Sequence, residues 1–301
     1  MLSVENIEKS YGDRRALAGV SFTVGTGRIT GFVGANGAGK TTAMRIILGV
    51  LRADSGIVTL DGNRLSPDDR RVFGYMPEER GLYPKMRVAE QVTYLGRLHG
   101  MTARDAAAST ARLLDQLQLG PRANDTVDSL SLGNQQRAQI AAALVHEPRV
   151  LVLDEPFSGL DPLGVDTVLG VLRDAAAAGA PVLFSSHQLD VVERLCDDLV
   201  IIAGGEIRAS GSREDLRHEH GHNRFEIQFV GKPGWIAGVA GVTVVDETDP
   251  SLGGSFHTVV FDVEDVSVAQ AVLAHAVALG PVIRFGAQHP SLAQIFREVI
   301  Q

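Results

Sequence analysis

The chain has a single cysteine, no long apolar run, no surplus of positive charge and no internal repeat. Each shortage excludes something. One cysteine, Cys196, rules out an intrachain disulfide and suits a reducing compartment. No stretch approaches the ~18–20 uninterrupted apolar residues that a membrane helix needs. The chain is therefore expected not to cross a bilayer by itself, so any membrane role comes through a partner. Residues Met1 to Lys9 lack a basic flank followed by an apolar core, and no signal peptide is expected. Acidic residues outnumber basic ones, 36 to 28, for a net charge of −8. That balance argues against a nucleic-acid surface working by bulk positive charge, and no nucleic-acid partner is expected. What remains is ordinary for a packed globular protein: 45% hydrophobic and 21% charged residues. A length of 301 residues suggests two domains or one large one.

The most informative segment is Gly34-Ala35-Asn36-Gly37-Ala38-Gly39-Lys40-Thr41-Thr42, a complete G-x-x-x-x-G-K-T phosphate loop. An apolar run, Ile29 to Val33, precedes it and an amphipathic run, Thr41 to Leu51, follows it. The glycines let the backbone curl with its N–H groups inward, forming an anion nest at a helix start. Lys40 is expected to reach the β- and γ-phosphates, and the Thr41 hydroxyl to ligate Mg²⁺. A second chemical signal is Val150-Leu151-Val152-Leu153-Asp154-Glu155, an apolar strand ending in two carboxylates. Ligands bind beyond the carboxyl ends of strands in open α/β sheets. Downstream of a phosphate loop, Asp154 is expected to hold Mg²⁺ and Glu155 to polarise an attacking water.

Other segments are less specific alone. Leu130-Ser131-Leu132-Gly133-Asn134-Gln135 has a natural N-cap in Ser131 and a glycine, Gly133, that allows close approach. By itself it reads as an ordinary capped helix start. Ser158-Gly159-Leu160-Asp161-Pro162 is a turn by composition. His187 follows the apolar strand Val182 to Ser185 and falls on the same sheet edge as Glu155. Helical patterns run from Val88 to about Leu119, over Gln135 to Val145 and over Asp166 to Ala178. Charge and histidine thicken from Ser212 to Asn223, where a domain boundary is expected. Beyond it, Phe225–Val230, Val242–Val245, His257–Val263 and Val282–Phe285 read as strands, with helices at Val266–Leu279 and Ser291–Ile300.

Taken together, these motifs resemble the nucleotide-binding subunit of an ATP-binding cassette (ABC) transporter over roughly residues 1 to 218. The resemblance implies an α/β fold: a phosphate-loop core sheet, a helical subdomain at about 85–148 that docks on the membrane partner, and a small C-terminal α+β domain over 223–301. It implies that Tyr11 stacks on adenine and that Gly34 to Thr42 is the Walker A loop. Asp154 and Glu155 become the Walker B pair, Asp161 the D-loop aspartate and His187 the switch histidine at the γ-phosphate. Ser131 and Gly133 then belong to a signature motif contacting the γ-phosphate held by the opposite subunit. The resemblance implies ATP and Mg²⁺ as cofactors, and a second copy or a paralogous ATPase subunit as partner. It also implies integral membrane permease subunits and a cytoplasmic location, peripheral on the inner face of the cell membrane.

Two departures matter. The signature usually reads Leu-Ser-Gly-Gly-Gln, whereas here Leu132 replaces the first glycine and Asn134 the glutamine. The loop that usually carries a metal-facing glutamine reads Tyr75-Met76-Pro77-Glu78-Glu79-Arg80, with Glu78 in that place. Both variants resemble a bacterial export subgroup that includes sodium-efflux and drug- or peptide-export ATPases. The segment after Asn223, ending Pro290-Ser291-Leu292-Ala293-Gln294-Ile295-Phe296, resembles that subgroup's accessory domain. The rival expectation is a soluble ABC-type ATPase acting on ribosomes or DNA. Such chains usually carry two cassettes or long coiled coils, and this chain has one phosphate loop and no extended heptads. Among weaker features, His218, His220 and His222 alternate as a metal site or a solvated linker would. Cys196 and Trp235 read as packing residues. Arg14 and Arg15 read equally as nucleotide contacts or as solvated surface.

Overall fold

The computed structural model describes residues 1–79, 81–219, 223–231, 233–248, 256–288 and 292–300. Arg80, His220, His222 and the stretch 289–291 lie outside the described residues, as does the side chain of His218. The chain divides into two compact units, Met1–Arg213, grouped with the last residues from Val299, and Glu214–Glu298.

The first unit opens with a long antiparallel pair, Leu2–Tyr11 (β1) and Arg14–Val24 (β2). Then come Ile29–Val33 (β3), Lys40–Ile47 (α1), Ser55–Leu60 (β4), Asn63–Arg64 (β5) and Phe73–Met76 (β6). A helical stretch follows: Val88–Leu98 (α2), Ala103–Gln116 (α3) and Leu132–Leu144 (α4). The unit continues through Val150–Leu153 (β7), Pro162–Ala177 (α5), Val182–Ser186 (β8) and Leu189–Leu195 (α6). It ends in Asp198–Ala203 (β9), Glu206–Ser212 (β10) and the start of Arg213–Glu219 (α7).

One sheet has the order β2-β1-β4-β5, the other β10-β9-β3-β8-β7-β6. In the second, β9, β3, β8, β7 and β6 are parallel and β10 is antiparallel to β9. Every residue of β3, β7 and β8 is buried, as a parallel sheet covered on both faces requires. The parallel register brings the carboxyl ends of β3, β6, β7 and β8 to one edge, with Val33 opposite Ser186, Leu153 opposite Phe184 and Met76 opposite Leu153.

Several helix boundaries differ from the sequence pattern, for local reasons. The apolar period from Val88 to Leu119 is broken at Gly100, which takes φ 92°, and Thr102 then caps α3 by accepting from the Asp105 N–H at 3.1 Å. Helix α4 begins at Leu132 rather than Gln135, because Ser131 caps it. Helix α5 begins at Pro162 rather than Asp166, because Asp161 accepts from the Gly164 N–H at 2.7 Å. A side-chain cap satisfies an orphan N–H earlier than hydrophobic periodicity alone shows.

The second unit holds Arg224–Phe229 (β11), a 3₁₀ turn at Pro233–Gly238, Val242–Thr248 (β12), His257–Val263 (β13), Val266–Leu279 (α8), Val282–Ala287 (β14) and Leu292–Ile300 (α9). Its antiparallel sheet runs β12-β13-β11-β14. This is the strand order of a split β-α-β fold, with the 3₁₀ turn in place of the first helix. Phe225, Ile227 and Phe229 of β11 and Val259, Phe261 and Val263 of β13 alternate into one core under Ala269, Val272 and Ala276 of α8.

Candidate nucleotide site

The phosphate loop leaves the carboxyl end of β3 and enters α1 at Lys40. Glycine is required at two of its positions for different reasons. A Cβ on Gly34 would stand 2.4 Å from the Ile202 carbonyl, and Gly39 takes φ 113° against Leu17 and Ala16. Helix α1 has no side-chain cap and no acid in its first turn, so its leading N–H groups stay available to an anion. Lys40 is buried, and its ammonium donates to the carbonyls of Gly34, 2.7 Å, and Ala35, 3.3 Å. Burial lowers its pKa, while the charges of Glu155, Asp154 and Glu78 oppose that shift.

Around this loop lies a cleft of about 420 Å³. Tyr11 and Arg14 line it from the β1–β2 turn. Asn36, Gly37, Gly39, Lys40, Thr41 and Thr42 line it from the phosphate loop, and Glu78, Asp154 and Glu155 from the strand ends. Gly34 and Ala38, also expected at the nucleotide, are buried and do not line the cleft, and the Ala38 carbonyl accepts from the Gly205 N–H at 3.1 Å. A larger cavity, about 530 Å³, is lined by Leu113, Leu144, Val171, Arg149 and Pro181. Arg149 and Pro181 precede β7 and β8, so it lies at the amino ends of those strands. It gathers none of the phosphate-loop residues, and convergent chemistry rather than volume identifies the site.

Asp154 and Glu155 follow β7 directly, and Ser185 from β8 ties them together. The Ser185 hydroxyl donates to Asp154 Oδ1 at 2.5 Å and accepts from the Glu155 N–H at 2.9 Å. Asp154 Oδ2 is buried with no hydrogen-bond partner among the described residues, although Asp154 lines a polar cleft beside Thr41. A buried orphan carboxylate oxygen is costly unless something cationic meets it, which fits a hard divalent cation. Glu155 has φ 52°, and its Oε1 lies 3.0 Å from His187 Nδ1. Burial raises the Glu155 pKa, and the hydrogen bond and charge of His187 pull against that rise. Glu78 is exposed and lines the cleft, whereas Glu79 is not among the lining residues and its carbonyl accepts from Gln139 Nε2 at 3.5 Å.

Ser131, Gly133 and Asp161 are not among the residues lining the cleft. Ser131 accepts from the Asn134 N–H at 3.4 Å, and Gly133 faces the Gly159 carbonyl, which a Cβ there would meet at 3.3 Å. Leu132, 47% exposed, packs over Gly159. The chain thus brings together Tyr11, the phosphate loop, Glu78, Asp154 and Glu155, with His187 against Glu155. It leaves the Ser131 helix start and Asp161 as a separate surface. Sequence reasoning left Arg14 undecided and missed Ala16, Ser185 and Gln136. Arg14 lines the cleft with its Nη2 3.5 Å from where a Gly37 Cβ would stand, whereas Arg15 turns to Glu8 at 2.6 Å. The strand alternation after Tyr11 carried that distinction.

Residues 17–158 match the family model described as ABC transporter, and residues 211–300 match that of the C-terminal domain of DrrA1-3-like ATP-binding proteins. The chain is 34% identical to the ABC transporter ATP-binding protein YhaQ of Bacillus subtilis over 300 residues, 100% of this chain and 98% of that protein. It is 36% identical to the Nod factor export ATP-binding protein I of Ralstonia nicotianae over 231 residues, 75% of this chain and 72% of that protein. The solved structure of an ATP-binding subunit of an ABC transporter aligns with a TM-score of 0.68 at 32% identity, covering 73% of this chain and 93% of that one. With a phosphate loop, paired strand-end carboxylates and relatives matched along its whole length, the chain belongs to the ABC transporter ATP-binding proteins, the ATPase subunits of these transporters.

Proposed function

We propose that this ATPase works as a head-to-tail pair, with a second copy or a paralogous ATPase subunit, and drives export through integral membrane permease subunits. The pair sits peripherally on the inner face of the cell membrane. Among the described residues no helix is long and apolar enough to cross a membrane. The observation that carries the reading is the incompleteness of the cleft. One chain supplies the phosphate loop, Lys40 and the carboxylates, while Ser131, Gly133 and Asp161 stand outside it. Those groups serve a nucleotide held by the partner chain. Export, rather than uptake, is favoured by relatives such as the Nod factor export protein and by Glu78 and Leu132 in their motif positions.

Within each site Tyr11 stacks on the base, and the loop N–H groups with Lys40 hold the β- and γ-phosphates. Thr41, Asp154 and Glu78 would hold Mg²⁺, which supplies positive charge against the phosphates when bound. Glu155, kept basic by burial, takes a proton from the attacking water. His187 donates from Nδ1 to the Glu155 carboxylate and fixes its orientation. ATP bridges the pair, and its hydrolysis removes the bridge, a ligand-driven shift between two states.

Glu155→Gln tests this. The amide keeps size but cannot take the proton, so ATP binding is expected to persist while turnover falls to a small residual rate. Size-exclusion chromatography with ATP and Mg²⁺ should show a dimer that disappears without nucleotide. A monomer under both conditions, or a dimer under both, overturns the pairing. Recovery of the chain with ribosomes rather than with membrane subunits would favour the rival reading.

A further inference from the structure

Glu155 stands in the left-handed backbone region, φ 52°, where a non-glycine residue persists only if its surroundings over-determine it. Three contacts hold its peptide groups. Its N–H donates to Ser185 Oγ at 2.9 Å. Its carbonyl accepts from the Ser158 N–H at 3.2 Å, closing the turn, and from Gln136 Nε2 at 2.9 Å. The Gln136 contact differs from the other two. It comes from α4, the helix that Ser131 caps, and the Gln136 side chain is buried at 5% exposure.

We propose that Gln136 is a positioning residue for ATP hydrolysis: its side-chain amide ties the helix that begins at Ser131 to the backbone of Glu155 and sets where that carboxylate stands. The proposal rests on the reading of Glu155 as the group that activates water. The start of α4 serves the nucleotide held by the partner chain, whereas Glu155 serves the nucleotide held by its own. One buried hydrogen bond therefore connects the two sites of a pair. Movement of α4 as the partner's nucleotide engages Ser131 and Gly133 shifts the Glu155 carbonyl, and with it the carboxylate beside His187.

The Glu155 carbonyl keeps the Ser158 N–H when Gln136 is replaced, so no buried acceptor is orphaned and folding is little affected. Gln136→Met, similar in length and compatible with a helix, is made in the full chain. The turnover number, kcat, is expected to fall about tenfold, the scale of one lost hydrogen bond that holds a reacting group in place, with KM and ATP affinity unchanged. Gln136→Asn, one methylene too short to span the gap, should lose the same amount. In the Glu155→Gln background neither substitution should lower residual turnover further, because both act through the same carboxylate. Ser109→Ala supplies the control for a merely structural effect. It removes another buried side-chain bond to a carbonyl, Ser109 Oγ to Val145 at 2.8 Å, and should lower the melting temperature without changing kcat. The proposal is overturned if kcat is unchanged in Gln136→Met and Gln136→Asn, if their losses multiply with that of Glu155→Gln, or if Ser109→Ala lowers kcat as much. Failure of the underlying reading shows separately: the single Glu155→Gln variant would itself retain turnover.

Discussion

The two units bury different things. Among the described residues, the buried polar and charged side chains all lie between Thr30 and Ser186, in the first unit, and include Lys40, Asp154 and Glu155. The second unit's core is apolar: Phe225, Ile227, Phe229, Val259 and Phe261 pack under an alanine- and valine-rich helix. Burying a charge is expensive unless it is paired or awaits a ligand. The first unit tolerates that cost where the strand ends converge, and its packing is arranged around chemistry. The second is built on apolar packing.

The sharpest way to break this contrast is to remove the buried cation. Lys40→Ala should lower ATP turnover by roughly 10²–10³-fold, the scale of one preorganised charge aimed at the transferring phosphoryl group. Steady-state ATPase assays near the wild-type rate would show that the buried charge is structural. A smaller effect is expected at the rim of the cleft. Glu78 repels ATP when no cation intervenes and attracts the cation when one does, so Glu78→Gln should narrow the difference in ATP affinity with Mg²⁺ and with a chelator by about fivefold, the equivalent of ~1 kcal/mol. Titration of Glu79→Gln alongside fixes the register, since only Glu78 lines the cleft. No change in Glu78→Gln would remove it from the metal side.

A third expectation sharpens the contrast through pH. His146 lies in the first unit, stacked on His99 with ring centroids 3.6 Å apart, and its Nε2 meets the Phe73 carbonyl at 3.1 Å. Burial, reinforced by the charge of His99, lowers its pKa to about 4. An unfolded histidine titrates near ~6.5. Between those values the unfolded chain binds more protons, so stability rises with pH there. It is fully present above the unfolded value and is lost as pH falls toward about 4. The melting temperature of the ATP-protected transition should drop by a few degrees between pH 7 and pH 5, and His146→Gln should flatten that slope. The smallest effect is expected from deleting residues 224–301. ATP affinity should stay within about twofold of wild type, because every residue lining the cleft precedes that point. A folded truncation with no ATP affinity would join the two units functionally.

Local patterns were legible where one segment holds all its own information. The phosphate loop reads directly because three glycines, Lys40 and Thr41 act within nine residues. Asp154 and Glu155 read from an apolar strand that ends in acids. Helix starts were less legible, as α4 and α5 show, because a single capping side chain moved each boundary three or four residues ahead of the hydrophobic period. Ser185 and Gln136 were not legible at all. A serine in a strand and a glutamine in a helix carry no signal until β8 and α4 are placed beside β7, 30 and 19 residues away in sequence from Glu155.

By itself, the sequence determined the cassette family, the phosphate-binding chemistry and the identity of the strand-end carboxylates, because each depends on residues joined by a short stretch of backbone. Only the tertiary structure decided which acids share one cleft, that Glu78 rather than Glu79 faces it, that Asp154 keeps an oxygen unpartnered among the described residues, and that Glu155 is held in a left-handed turn. Those facts depend on the register of parallel strands and on hydrogen bonds between distant segments, which no local spacing encodes.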